Sequence, residues 1–434
     1  MNPLAHELNT ALAGSPAERL LSTMGTRLYF PKGIIAQAGE AKKSAHLANA
    51  TIGMAVKDGK ALSLSAIADG LSGLDAYKAV VYAPTAGLEE VRSAWKDAII
   101  AKNPSIDPAT ITLPVVVPGL TAGINYMADL FIGEGQTLLT CDPSWDNYVL
   151  VVQDRHGATM KEIPFFKEGE AGLDIPTMEK AFREEAKSGS LRVILNFPQN
   201  PTGYSPSREE AAKLVAILTD IAESGVPTLV LCDDAYFGLA YEEEIYPESL
   251  FGLFAKASKN LLAVKIDGPT KEDYVWGLRM GFLTFGCKAM NAGWGDALIK
   301  KLMGAIRSSV SCANTPAQLL MTKTMEDPRS AGEKAAFKDL LEERYRIVKA
   351  FITAKSKEGE HPVLSPLPFN SGYFMSFRVK NGKAEELRQA LLKDYGIGTI
   401  SLGPKYLRVA FSSVNSDKLK EVYARIYEEA GKLA

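Results

Sequence analysis

Leu191-Arg192-Val193-Ile194-Leu195-Asn196-Phe197, followed after Pro198-Gln199 by Asn200-Pro201-Thr202-Gly203, reads as a strand running into a tight turn. Its apolar residues are nearly continuous instead of alternating, which predicts cover on both faces. Ser207 and Glu210 then form a capping box that opens a helix over 207–224. The same unit recurs on either side. Downstream, strands are predicted at 227–232, 261–266 and 278–285. Upstream lie a helix over 87–102, a short strand at Val115–Val117, a helix over Leu120–Phe131 and a strand at 137–141. Strands of this kind alternating with helices predict an α/β protein with a mostly parallel central sheet.

A helix over 291–306 and its continuation close this unit near residue 325. The last hundred residues differ in character, with a charged helix at 331–358, short strands at 373–379 and 406–411, and helices at 383–395 and 415–431. The expected division is an N-terminal arm with part of a small domain (1–60, with a helix over 16–24), a large domain (61–325) and a smaller α+β domain (326–434). Two domains suit 434 residues, because one core rarely grows past about 250–300 residues.

Composition excludes several classes of function. The net charge is −2, and no basic stripe suggests nucleic acid or an anionic membrane. No apolar run approaches a membrane span, and Met1–Glu7 lacks the pattern of a secretory signal. Cys141, Cys232, Cys287 and Cys312 lie far apart, which predicts free, reduced thiols and a cytoplasmic setting. The four histidines are scattered, so no metal site is expected. No Gly-x-Gly-x-x-Gly follows a strand, which argues against a nicotinamide dehydrogenase.

Three short stretches carry the chemistry: Asn200-Pro201-Thr202-Gly203, Asp233-Asp234-Ala235-Tyr236, and Lys271 with Arg279 eight residues on. Together they supply an amine for a Schiff base, an anion for a pyridinium nitrogen, two hydrogen bonds for a phenolate and a cation for a phosphate. Those are the demands of pyridoxal 5'-phosphate. Lys271 follows the strand 261–266, at the carboxyl end where open α/β sheets bind ligands. A lone lysine is more often a solvated surface residue, and only its company argues otherwise. Asp233 ends the strand 227–232; Asp234 beside it is the competing choice, and the spacing to Tyr236 favours Asp233. Asn200 taken alone also suits a plain turn. Arg279 is expected to open the strand 278–285 and fork onto a phosphate. Gly119-Leu120-Thr121 at a helix start offers a second grip through backbone amides. Trp145 can stack on a ring or fill a core. Arg408 lies within an apolar strand and needs an anionic partner, for which a substrate carboxylate would serve.

With those residues in order, the chain resembles the fold-type-I pyridoxal-phosphate aminotransferases of class I/II, the aspartate and aromatic group. The resemblance runs from about Ala50 to Phe411. It implies that Lys271 is the Schiff-base lysine and moves the proton, that Asp233 pairs with the ring nitrogen, and that Tyr236 and Asn200 hold the phenolate oxygen. It also implies that Trp145 stacks on the ring, that Arg279, Thr121 and the amides near Leu120 hold the phosphate, and that Arg408 binds the substrate α-carboxylate with Gly53 nearby. Such enzymes form symmetric homodimers, and Tyr82 is similar to the tyrosine that reaches the neighbouring subunit's phosphate. The segment Ala305–Ser311 is similar to the one whose arginine, here Arg307, receives a side-chain carboxylate across the dimer. The chain departs from the pattern in three places. Gly268 stands where many relatives carry a serine, Tyr148 where aspartate-specific ones often keep a histidine, and two extra residues precede Pro316.

The expected function is transfer of an amino group from an α-amino acid, aromatic or acidic, to a 2-oxo acid such as 2-oxoglutarate. The same fold also admits a β-elimination lyase or a decarboxylase. A non-catalytic ligand-binding relative is the alternative of a different class, and the complete set of cofactor residues argues against it.

Overall fold

The computed structural model describes residues 1–31, 33–167, 169 and 172–433. Its centre is a seven-stranded sheet: β1 (Val115–Val117), β2 (Thr137–Asp142), β3 (Thr159–Pro164), β4 (Leu191–Asn196), β5 (Thr228–Asp233), β6 (Leu261–Asp267) and β7 (Gly281–Gly286). The order across the sheet is β1-β7-β6-β5-β4-β2-β3. Strands β2 to β6 are parallel, and β7 runs antiparallel to both of its neighbours. Strands β5 and β7 are buried throughout, as expected where helices cover both faces of a sheet.

Register decides what the strand ends present. Asn196, Asp233 and Ile266 stand side by side, as do Leu195, Cys232 and Lys265 one step earlier. Side chains alternate along a strand, so these two rows point to opposite faces. The Asn196 row faces the helix Leu120–Phe131, and the Lys265 row faces the helix Glu89–Lys102, whose Trp95 bonds to Asp267 and stacks on Phe282 at 4.4 Å.

A second, four-stranded antiparallel sheet contains β8 (Leu364–Pro366), β9 (Phe374–Val379), β10 (Ile400–Leu402) and β11 (Tyr406–Ala410), in the order β8-β9-β11-β10. The helices Arg329–Glu358, Ala384–Tyr395 and Ser416–Lys432 accompany it. A parallel pairing of Ala48–Asn49 with Ile397–Gly398 ties the N-terminal part of the chain to this region.

The capping box is present as expected, with Ser207 and Glu210 each bonded to the other's backbone N–H. Two expected elements differ. The helix over 16–24 is two short helices, Pro16–Leu20 and Thr23–Arg27, because Ser22 caps a new start by accepting from Gly25 N. The strand expected at 278–285 begins only at Gly281. Trp276–Leu278 form a 3-10 turn and Arg279 is left-handed, with φ 50°, so Arg279 does not open the strand.

Candidate active site

The carboxyl ends of β4, β5 and β6 meet β9 and β11 around a cavity of about 290 Å³. Lys271, Asp233, Tyr236, Asn200, Trp145, Leu120, Thr121, Arg279, Arg408 and Gly53 all line it. Ten of the twelve residues singled out from the sequence therefore converge. The two others do not. Tyr82 is 90% exposed, and Arg307 lies on the exposed side of the helix Ala292–Ser309; neither borders the cavity of its own chain.

Lys271 sits in the short helical turn Pro269–Glu272, directly after β6 and Gly268. Its amine lies 4.6 Å from the Tyr236 ring centroid. Burial lowers its pKa to about 8, with Asp233 opposing and Arg279 assisting that shift. A lysine so placed holds a substantial neutral fraction near neutral pH, the state in which it is a nucleophile and a base.

Asp233 closes β5. Burial raises its pKa, against the hydrogen bond from Tyr148 and the charge of Lys271. The Tyr148 hydroxyl donates to Oδ2 and Ala235 N donates to Oδ1 at 3.2 Å. Asp234 points to the other face, where Lys265 and Ser249 hold it, so of the two acids it is Asp233 that borders the cavity.

Part of the cavity wall is suited to an anion. Gly119, with φ +86°, caps the helix Leu120–Phe131, and a Cβ there would stand 2.5 Å from Arg279 Nη2. Only glycine lets the guanidinium lie against the helix start, and both elements attract negative charge. Thr121 and Thr270 border the same space. At Gly268 a Cβ would stand 2.8 Å from Gly281 Cα, so this position has no room for a side chain.

Arg408 lines the same cavity. Its Nη1 donates to Asn200 Oδ1 at 3.0 Å, its Nη2 to Thr51 O at 3.1 Å, and the guanidinium covers the Phe374 ring at 4.4 Å. Its buried Nε has no partner, nor has the buried Trp276 Nε1 on the cavity wall. A buried cation with an unspent donor is a ready site for a carboxylate.

Sequence reading missed Asn196, Thr51, Ile34, Trp276 and Phe374 as lining residues. Asn196 was within reach: it ends β4 in register with Asp233, donates to Asp233 O at 2.7 Å and accepts from Asn200 N at 2.8 Å. Among the described residues, no cluster of His, Cys, Asp and Glu could hold a metal ion, and no helix is long and apolar enough to cross a membrane.

Comparison with known proteins shows the family of the chain. Residues 57–426 match the family model described as aminotransferase class I and II. A probable aspartate/prephenate aminotransferase of Aquifex aeolicus is 24% identical over 80% of this chain and 82% of its own. An LL-diaminopimelate aminotransferase of Nitratidesulfovibrio vulgaris is 23% identical over 74% of this chain and 76% of its own. An aminotransferase structure from Anaerococcus prevotii superimposes with a TM-score of 0.82 at 23% identity, covering 93% of this chain and 98% of that one. The chain belongs to the class I and II aminotransferases, pyridoxal-phosphate-dependent enzymes of fold type I.

Proposed function

We propose that this aminotransferase binds pyridoxal 5'-phosphate in the 290 Å³ cavity and moves an amino group from an aromatic or acidic α-amino acid to a 2-oxo acid such as 2-oxoglutarate. The observation that carries the reading is the layout of that one cavity. Arg279 against the Gly119 helix start, the buried Arg408 with an unspent donor, the half-buried Lys271 and the buried Asp233 all line it. The Gly119–Arg279 cradle suits the phosphate, and the Asp233 carboxylate suits a ring nitrogen. A structure similar in fold, a Pyrococcus horikoshii kynurenine aminotransferase (TM-score 0.77, 16% identity), is a complex with PMP, the amino form of such a cofactor.

When bound, the cofactor supplies an electron sink for the bond broken at the substrate α-carbon. The protein's part follows from its own groups. Lys271, with its lowered pKa, would hold the cofactor through its amine and would afterwards carry the proton at its Nζ as base and then acid. Asp233 would hold the proton on the cofactor's ring nitrogen. Tyr236 and Asn200 would donate to its phenolate oxygen, and Trp145 would cover one ring face. Arg408 takes the α-carboxylate, which orients the α-hydrogen towards Lys271. Gly53 leaves room at this point, since a Cβ would lie 3.7 Å from Tyr236 OH and 3.6 Å from Phe374 Cζ.

A homodimer belongs to the same proposal. Leu71, Tyr77, Val80, Val81 and Tyr82 form an exposed apolar run, the kind of surface a second copy covers, and would bring Tyr82 to the partner's phosphate. Arg307 would then serve the partner's site by receiving a side-chain carboxylate. The division near residues 60 and 325, with Ala48–Asn49 paired to the C-terminal part, and a cytoplasmic setting for four free cysteines complete the reading.

An absorbance titration tests it. A visible band that forms with pyridoxal phosphate, bleaches with an amino donor and returns with 2-oxoglutarate supports the proposal and ranks donors. A protein that develops no band, or that transfers nothing from any common amino acid, sinks it.

A further inference from the structure

Trp145 and Asp233 are far apart in the chain but share one neighbour. Tyr148 is 1% exposed, and its hydroxyl donates to Asp233 Oδ2. Its ring meets Trp145 edge to face, with centroids 5.4 Å apart and planes at 81°. Tyr148 itself does not line the cavity, so it touches neither substrate nor cofactor. We infer that Tyr148 is a positioning residue whose hydroxyl keeps Asp233 ionised and aimed while its ring sets the plane of Trp145. One side chain thus places two of the contacts around the cofactor ring. The inference rests on the pyridoxal phosphate reading.

The argument is one of supply and demand. Asp233 is fully desolvated, and a carboxylate in that setting tends to take up a proton and become neutral. A neutral acid could not hold a proton on a ring nitrogen. Two donors oppose this, Tyr148 OH at Oδ2 and Ala235 N at Oδ1. The backbone donor is present whatever the sequence, so the hydroxyl is the contribution specific to this chain. The other titratable groups around the pair are Lys271, Asp234, Tyr236 and Cys141. Asp234 spends its charge on Lys265 on the other face, and burial keeps Tyr236 and Cys141 neutral by raising their pKa values. The Tyr148 proton stays on its oxygen, because burial and the adjacent Asp233 charge both raise its pKa.

Removing the hydroxyl makes Asp233 more basic. The proton it shares with the ring nitrogen then shifts towards the carboxylate, and the ring becomes a weaker electron sink. A weaker sink lets the lysine–cofactor link hold its own proton to higher pH. The test uses three forms of the full chain loaded with pyridoxal phosphate: wild type, Tyr148→Phe and Tyr148→Leu. It follows the visible band against pH and measures cofactor affinity separately. For Tyr148→Phe the expected result is an upward shift of the band's midpoint by about half a pH unit or more. A fall in kcat of about tenfold should accompany it, with KM and cofactor affinity nearly unchanged. Tyr148→Leu, which also removes the ring against Trp145, should show the same shift and a weaker hold on the cofactor.

Tyr373→Phe is the control. It removes another buried tyrosine hydroxyl, one without any partner, and should leave the midpoint where it is. If Tyr148→Phe keeps the wild-type midpoint, or lowers thermal stability without moving it, the inference is overturned and the cofactor reading stands. If wild-type protein forms no visible band, both fall together.

Discussion

Asp233 and Asp234 are chain neighbours of identical chemistry, and strand alternation sends them to opposite faces of one sheet. Behind the sheet Asp234 bonds to Lys265 and to Ser249 Oγ at 2.6 Å, and Lys265 also stands 3.4 Å from Asp267, which accepts from Trp95 Nε1 at 3.2 Å. On this face each charge has an opposite one within reach. Lys265 is 1% exposed, yet its pKa is raised: burial opposes the charge, and Asp234 and Asp267 outweigh it. In front, Asp233, Lys271, Arg279 and Arg408 share a cavity and form no ion pair among themselves within 4 Å. Here burial wins, and the lysine falls to about 8. The same residue types are closed on one side and left open on the other. An open set of charges is costly for a fold to keep, and a ligand is what would complete it.

Four measurements would break or sharpen this contrast. The largest effect is expected at Lys271→Ala, where the front face loses its amine: amino transfer should drop by about four orders of magnitude. Thermal stability should hold or rise, and a variant retaining a tenth of the activity would refute the role of Lys271. Next comes Lys265→Ala, which leaves two buried carboxylates facing each other. Urea unfolding should show a loss of about 3–5 kcal/mol, and replacing Lys265, Asp234 and Asp267 together by apolar residues of similar volume should recover most of it. A single variant as stable as wild type would mean that the rear network is not the closed unit drawn above.

The neighbouring acids give the most direct comparison. Asp233→Asn should cost about a hundredfold or more in kcat and little stability, whereas Asp234→Asn should cost about 1–3 kcal/mol of stability and less than tenfold in kcat. Equal effects on both readouts would erase the distinction between faces. The smallest effect concerns pH. In the proposed role only the neutral Lys271 amine would attack, so the rate at which apo-protein takes up the cofactor should climb about tenfold per unit at first and level off above about pH 8. The lowered pKa also carries a stability signature. Between about 8 and the ordinary lysine value of 10.5 the unfolded chain holds the extra proton, so stability from this group increases as pH rises through that window. A plateau delayed to pH 10 would place Lys271 in water.

The long buried strands and ten of the cavity residues were legible in the sequence because their signals are local. A continuous apolar run, a capping box or an Asn-Pro-Thr-Gly turn declares itself within a few residues. What escaped depends on distant parts of the chain. β3 is a half-exposed edge strand with Lys161 and Glu162 at its centre, and only its pairing with β2 defines it. β8 and β10 have three residues each and exist because longer strands lie beside them. Arg279 looked like the opening of an apolar strand; its backbone is left-handed and its guanidinium lies against Gly119, 160 residues earlier in the chain, a contact no local pattern announces. Tyr148 was noticed for standing where a histidine is common, but its bond to Asp233 appears only once β5 is in place.

Gly203 shows what the Asn-Pro-Thr-Gly turn does beyond supplying Asn200. A Cβ on it would fall 1.9 Å from Phe374 O, and its own carbonyl accepts from Asn370 N at 2.9 Å and Ser371 N at 2.8 Å. Main chain therefore lies directly on main chain between the two sheets, three residues from Asn200 and next to the strand that pairs with Arg408. Asn200 and Arg408 are joined at 3.0 Å across that seam. With Asn200 at the cofactor ring and Arg408 at the substrate carboxylate, as proposed, the interval between them would behave as a fixed gauge. An α-amino acid spans it with one carbon between carboxylate and amine. A β- or ω-amino acid, whose amine sits one or more carbons farther along, would overshoot the reacting position, so selection for α-amino substrates would be set by the backbone and not by any side chain that a point substitution could trim.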